Sequence, residues 1–304
     1  MSLTVESLTK SFGKQKAVDS VSFAIKKGEI AGFLGPNGSG KSTTMKCICG
    51  ILRRDKGRIG VSGIDIEENP IGVKQIIGFL PENNPLHPEM YVKEYLMYVD
   101  GFYNSPANRR KRVDEVTGLT GLTKESHKKI GHLSKGYRQR VGLAQAIIHN
   151  PEVLILDEPT TGLDPNQIVE IRTLIQDLSR EKTVLLSTHI LQEVEAICDR
   201  IIVINEGRLV ADGTPGSITV EIEGKQTIYL EFSVAVDRNL ISRIPSVKKI
   251  EAISEREFLI EGTSDHDLRE EVFRFVTEHK LPLLTLQKKQ ESLEEAFREL
   301  TRSR

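Results

Sequence analysis

The sequence predicts a doubly wound α/β domain followed by a small α+β domain. Three observations carry this. VLILDEP (Val153 to Pro159) and TVLLSTH (Thr183 to His189) are continuous apolar runs of the kind buried on both faces of a parallel sheet, and Gln167 to Arg180 between them has a helical pattern. IAGFLG, another apolar run, feeds into the glycine-rich stretch GPNGSGKSTT (Gly35 to Thr44), and Lys41 to Leu52 then reads as a helix. Beyond residue 220 the pattern changes: TIYLEF, VKKIEAI, EFLIEG and LLTLQ are short alternating strands, with helical segments at 267–278 and 293–301.

The N-terminal 30 residues read as strands. LTVESL alternates, and Val21, Phe23 and Ile25 alternate again before Lys26-Lys27-Gly28 turns the chain. RIIVINEGRLVADGTPGSI (Arg200 to Ile218) reads as a closing hairpin and then a Gly/Pro/Ser turn, which sets a boundary near residue 220. Two domains are therefore expected, 1–219 and 220–304. Ser292-Leu293-Glu294-Glu295 fits a capping box at the start of the last helix.

Composition narrows the function. The 304 residues are 38% hydrophobic and 28% charged, an ordinary globular balance able to bury a substantial core. A formal net charge of −1 gives no electrostatic case for nucleic acid as a partner. The cysteines, Cys47, Cys49 and Cys198, are too few and too scattered for a disulfide framework, so plain reduced thiols of a cytosolic protein are expected. MSLTVESLTKSFG lacks an apolar h-region, so no signal peptide is expected, and no run approaches the ~20 apolar residues of a membrane helix. Any membrane work falls to another chain.

The glycine-rich stretch fits G-x-x-x-x-G-K-[ST] without deviation, from Gly35 through Pro36, Asn37, Gly38, Ser39 and Gly40 to Lys41, Ser42 and Thr43. Glycines let backbone N–H groups converge on phosphate oxygens, and the following helix presents its positive end to the anion. Lys41 is placed to reach the β- and γ-phosphates, and the Ser42 hydroxyl to meet Mg²⁺. Asp157 ends an apolar strand, where a magnesium-site carboxylate is expected, and Glu158 follows, able to orient a water. A pair of carboxylates capping a strand would explain the same two residues. His189 ends the next strand, where an imidazole can read a γ-phosphate oxygen or serve structure alone. LSKGYRQRVGLAQAI (Leu133 to Ile147) opens a long helix with Ser134 and Gly136: either a second phosphate-binding surface or an ordinary N-cap with a glycine in the first turn.

Taken together, GPNGSGKST, LPEN, LSKGYRQR, VLILDEP, GLD and STH resemble the Walker A, Q-loop, signature, Walker B, D-loop and switch histidine of ABC transporter ATP-binding subunits. The resemblance covers roughly residues 1–215. It implies a P-loop NTPase domain with a helical subdomain at about 85–150, ATP and Mg²⁺ as cofactors, Phe12 stacking on adenine, Glu82 at the Q-loop position among the metal and nucleotide contacts, and Asp164 in the loop linking two sites. It further implies two such subunits, a homodimer being expected, sandwiching two ATP, with Ser134 and Gly136 acting on the nucleotide of the partner. A separate transmembrane permease would carry the substrate, which puts this chain on the cytoplasmic face of a bacterial inner membrane. IGFLPENNPLHPEMYVKEYL and SLEEAFRELT look most like the ABC-2 export type and, within it, the gliding-motility-associated subunit. The Met, Tyr, Leu and Phe residues of 83–105 fit either a groove for a permease helix or the packing of the helical subdomain.

Two departures stand out. Glu82 occupies a position where many members carry Gln, and Lys135 and Tyr137 replace Gly and Gln in the signature. The rival readings are a soluble ABC ATPase acting on ribosomes or DNA, which usually has two cassettes or a coiled-coil insertion, and an importer ATPase, which sequence separates poorly. No N-K-x-D motif supports a GTPase.

Overall fold

The computed structural model describes residues 1–103, 106–221, 226–262, 267–289 and 293–301. The chain divides into two compact units, Met1–Pro215 and Gly216–Arg304. No helix among the described residues is long and apolar enough to cross a membrane.

The first unit holds two sheets. β1 (Leu3–Phe12), β2 (Gln15–Ile25), β4 (Lys56–Val61) and β5 (Ile64–Asp65) form an antiparallel sheet in the order β2-β1-β4-β5. The second sheet has the order β10-β9-β3-β8-β7-β6, built from β3 (Ile30–Leu34), β6 (Ile77–Leu80), β7 (Val153–Asp157), β8 (Thr183–Thr188), β9 (Arg200–Asn205) and β10 (Arg208–Gly213). Only its β9–β10 hairpin is antiparallel. Every residue of β3, β7 and β8 is buried, as expected of unbroken apolar runs in the middle of a sheet. The two sheets share one core, and Phe23 meets Phe33 across it at 5.6 Å between ring centroids.

The crossovers are helical. α1 (Lys41–Ile48), α2 (Pro70–Ile76), α3 (Val92–Tyr103), α4 (Arg109–Leu119), α5 (Lys135–Ile147), α6 (Pro165–Ser179) and α7 (Leu191–Ile197) belong to this unit. α1 stops four residues before the expected Leu52. Gly50 takes a left-handed φ of 64°, and the N–H groups of Gly50 and Ile51 bond back to Cys47 O and Lys46 O, a Schellman closure that ends the helix there. α3 and α4 are stapled by the buried Asp100, whose carboxylate accepts from Arg109 Nε at 3.1 Å and Arg112 Nε at 2.8 Å.

Register positions the site. Leu34 lies beside Thr188, Asp157 beside Ser187, and Leu80 beside Leu156. The loops leaving β3, β6, β7 and β8 therefore emerge at one edge of the sheet, the carboxyl edge, where open α/β sheets bind ligands.

The second unit begins within α8 (Pro215–Glu221) and continues with β11 (Gln226–Phe232), α9 (Arg238–Ile241), β12 (Val247–Ala252), β13 (Glu257–Gly262), α10 (Leu268–Glu278), β14 (Leu283–Lys289) and α11 (Leu293–Thr301). The sheet order β12-β13-β11-β14, all antiparallel, makes this a split βαβ, ferredoxin-like arrangement. Its own core joins Ile228, Leu230 and Phe232 of β11 to Leu268, Val272 and Val276 of α10.

Two local expectations change. The Gly/Pro/Ser turn after the hairpin is a helix from Pro215, because Pro at the first helical position costs no hydrogen bond. The short α9 has no periodic signal in the sequence. The capping serine, Ser292, and residues 104–105 of the aromatic segment lie outside the described residues. All three cysteines are free and buried, and burial raises their pKa, that of Cys47 to about 11 and that of Cys198 to about 12.

Candidate nucleotide site

A cleft of about 480 Å³ opens at the carboxyl edge of the parallel sheet. Ala17, Asn37, Gly38, Gly40, Lys41, Ser42, Thr43, Glu82, Glu158, Thr161 and His189 line it. Residues from four loops and one hairpin, spread over more than half the chain, meet here because the strands that deliver them are adjacent.

The glycine loop is built without room for side chains. A Cβ on Gly35 would lie 2.3 Å from Ile204 O, and one on Gly40, whose φ is 109°, would lie 2.4 Å from Ala17 O. Lys41 is buried beneath the loop, its Nζ donating to Gly35 O at 2.6 Å and Pro36 O at 3.1 Å. Burial lowers its pKa, opposed by the carboxylates of Glu158, Asp157 and Glu82.

Asp157 is nearly sealed from solvent. Its Oδ1 accepts from Ser42 Oγ at 3.1 Å and from Ser187 Oγ at 2.6 Å. Among the described residues no group of three or more His, Cys, Asp or Glu could hold a metal ion by itself. Mg²⁺ bound with nucleotide phosphates needs only one or two protein ligands, the rest being phosphate and water. A serine hydroxyl and one aspartate carboxylate side by side fit that donor set. Glu82, exposed in the loop after β6, lines the same cleft.

Glu158 carries backbone strain. It is a non-glycine residue with φ 53°, an arrangement costing about 1–3 kcal/mol. Ser187 holds it there: the Glu158 N–H donates to Ser187 O at 3.2 Å and Ser187 Oγ at 3.0 Å. The consequence is a carboxylate turned into the cleft, accepting from Thr161 Oγ1 at 3.0 Å and facing His189 Nδ1 at 2.9 Å. With its proton on Nδ1, a neutral His189 presents Nε2 as an acceptor. To donate to a phosphate oxygen, the ring must carry both protons or turn away from Glu158.

The remaining sequence-predicted residues lie elsewhere. Phe12 is 53% exposed at the end of β1, with Lys10 Nζ 5.6 Å from its ring centroid, and does not line the cleft. Its hairpin also carries Ala17, which does. Ser134 caps α5, accepting from Tyr137 N at 3.4 Å. Asp164 caps α6 and accepts from Gln167 N at 3.0 Å. A Cβ on Gly136 would meet the Gln167 side chain at 2.5 Å, so the signature helix packs on the helix that Asp164 caps, and neither Ser134, Gly136 nor Asp164 lines the cleft.

The sequence reading missed Ser187 and Thr161. The signal available was a polar Ser-Thr pair closing an otherwise apolar strand. The segment that the sequence reads as either a groove for a permease helix or subdomain packing borders a groove of about 520 Å³, lined among others by Glu82, Asn83, Pro85, Tyr103, Gln145, His149 and Asp157. Tyr103 stacks on His149 there, centroids 4.0 Å apart. Of the aromatic segment, Tyr95 and Leu96 are buried in the packing of the helical subdomain, whereas Tyr98 and Phe102 are more than half exposed.

A phosphate loop, a strand-end carboxylate pair and a histidine just past the next strand define a nucleoside-triphosphate hydrolase of the ATP-binding-cassette class. Known proteins agree. A family model described as ABC transporter matches residues 18–161. A linearmycin resistance ATP-binding protein of Bacillus subtilis (strain 168) is 34% identical over 305 residues, 98% of each chain. The bacitracin transport ATP-binding protein of Bacillus licheniformis is 37% identical over 234 residues, 76% of this chain and 74% of its own. A dimeric post-hydrolysis structure of the ATP-binding cassette MJ0796, bound to ADP and Pi, matches with a TM-score of 0.65 at 27% identity, over 70% of this chain and 98% of that one. The chain belongs to the ABC transporter ATP-binding subunits and is an ATPase.

Proposed function

We propose that this chain energises a bacterial ABC exporter, as one of two ATP-binding subunits on the cytoplasmic face of the inner membrane beside a separate permease. The observation carrying this is a separation: the cleft gathers Lys41, Ser42, Glu158 and His189, with Asp157 bonded to Ser42 beside it, while Ser134 and Gly136 do not line it. A hydrolytic site that also needs those residues requires a second chain.

In this reading ATP lies along the glycine loop, with its adenine on Phe12 and its phosphates held by backbone N–H groups from Gly35 to Thr43. Lys41 leaves its carbonyl partners for the β- and γ-phosphates. Ser42 and Asp157, with Glu82 nearby, would hold Mg²⁺, which neutralises phosphate charge. Glu158 orients the attacking water and takes its proton. His189 contacts the γ-phosphate oxygen. Ser134 and Gly136 of the other subunit close over the same phosphate, and Asp164 links the two sites. Loss of the γ-phosphate then removes the bridge between the subunits, a two-state element biased by one ligand group.

Glu82 lines both the cleft and the neighbouring groove. A permease helix seated in that groove would touch the loop that touches the nucleotide. The names of the two Bacillus relatives, linearmycin resistance and bacitracin transport, favour an antibiotic-like cargo. The two phrases that resemble the gliding-motility-associated subunit make that machine the second reading.

A mixing experiment tests the shared site. Ser134→Arg and Lys41→Ala are each expected to lose hydrolysis when alone. Combined, they form mixed pairs with one intact composite site, so ATPase activity should return. Two inactive chains that stay inactive together, although they pair, would place the whole site within one chain.

A further inference from the structure

Glu193 is a buried carboxylate that none of the roles above uses. It lies in the first turn of α7, 2% exposed. Its Oε2 accepts from Thr188 Oγ1 at 2.7 Å, and that same hydroxyl accepts from the Ile190 N–H at 3.0 Å. Thr188 and Ile190 are the residues on either side of His189. The Thr188 hydroxyl therefore ties together the backbone on both sides of the histidine, and the Glu193 carboxylate fixes that hydroxyl, while the Glu193 N–H also donates to Ile190 O at 3.1 Å.

The other end of Glu193 points to a second element. Its Oε1 has no hydrogen-bond partner, and the nearest cation is Arg172 Nη2 of α6 at 3.9 Å. Arg172 Nε is likewise buried without a partner. Two unsatisfied polar atoms on facing side chains are costly, and breaking one side of such a pair costs more than a surface ion pair would return. α6 is the helix whose N-cap is Asp164. A 3.9 Å ion pair from Arg172 to Glu193 and a 2.7 Å hydrogen bond from Thr188 to Glu193 thus lead from the Asp164 helix to the residue before His189. A carboxylate that served packing alone would be better replaced by an apolar side chain of its size.

We propose that Glu193 is the positioning residue of His189, and that through Arg172 it ties the placement of that histidine to helix α6. The inference rests on the reading of Glu158 and His189 as the hydrolytic pair.

The test is steady-state ATP hydrolysis, nucleotide binding and thermal unfolding of the purified chain with Glu193→Ala, Glu193→Gln, Thr188→Val and the Thr188→Val/Glu193→Ala double variant. Glu193→Ala is expected to lower kcat by about ten- to a hundredfold, the scale of a misplaced catalytic group, with ATP affinity changed less than about twofold. Glu193→Gln keeps the size and one oxygen and should recover part of the loss. Thr188→Val breaks the same connection one step nearer the histidine, so the double variant should be no slower than the slower single variant. Independent, multiplying losses would overturn the proposal, as would wild-type kcat in a folded Glu193→Ala protein. If Glu193→Ala fails to fold, Glu193→Gln and Thr188→Val carry the comparison. Failure of the underlying reading looks different: Glu158→Gln would then turn over normally, whatever Glu193 does.

Discussion

Glu158→Gln is expected to bind ATP, lose hydrolysis by roughly 10²–10⁴-fold and accumulate as an ATP-dependent pair of chains. The substitution is close to isosteric. An amide oxygen still accepts from Thr161 Oγ1, and the left-handed backbone at 158 depends on Ser187, not on the carboxylate. What is removed is the base. With the γ-phosphate uncleaved, the bridge between subunits persists, so size-exclusion chromatography with ATP should show a dimer that vanishes without nucleotide. A variant that hydrolyses at the normal rate would move the base to another residue, and one that neither hydrolyses nor pairs would leave the carboxylate a structural part of the loop.

Lys41→Ala is the second large effect. The ammonium group sits under the glycine loop against two carbonyls, and in the nucleotide complex it trades them for phosphate oxygens. Hydrogen bonds to charged groups contribute about 1.5–3 kcal/mol each, so losing two weakens ATP binding by roughly 10²–10⁴-fold. Fluorescent-nucleotide titration reads this directly, and circular dichroism checks that the loop's sheet is intact. Tight binding by a folded Lys41→Ala chain would contradict the assignment of the loop. Burial lowers the Lys41 pKa and the carboxylates of Glu158, Asp157 and Glu82 oppose that, and phosphate charge acts in the same sense as the carboxylates, towards the ammonium form.

Much of this site was legible in the sequence because its residues sit at strand ends and in a spaced motif. Apolar runs such as VLIL and TVLLS mark central strands, and the polar residue that follows such a run necessarily reaches the carboxyl edge. Asp157, Glu158 and His189 were found that way. Ser187 was not, because a serine inside a strand looks the same whether it faces core or cleft; only the β7–β8 register, pairing it with Asp157, shows its work. Glu193 escaped for a related reason. An HxxxE spacing on a short helix reads as a solvated turn, and its burial follows from α7 packing on β3 and β8. In the second unit the strands were visible by alternation, but alternation cannot tell a hairpin from a crossover. The order β12-β13-β11-β14 therefore had to come from the structure. The helix at 215–221 was read as a turn because Gly, Pro and Ser break a helix in its interior and start one at its N-terminus.

The most direct measurement is a pull-down of the tagged chain from detergent-solubilised native membranes, with the bound chains identified by mass spectrometry. The expected result is co-recovery of a polytopic membrane protein in fixed proportion to the ATPase. Recovery of soluble proteins alone, with ATP hydrolysis intact, would contradict the exporter reading and turn the search to ribosomal or DNA partners.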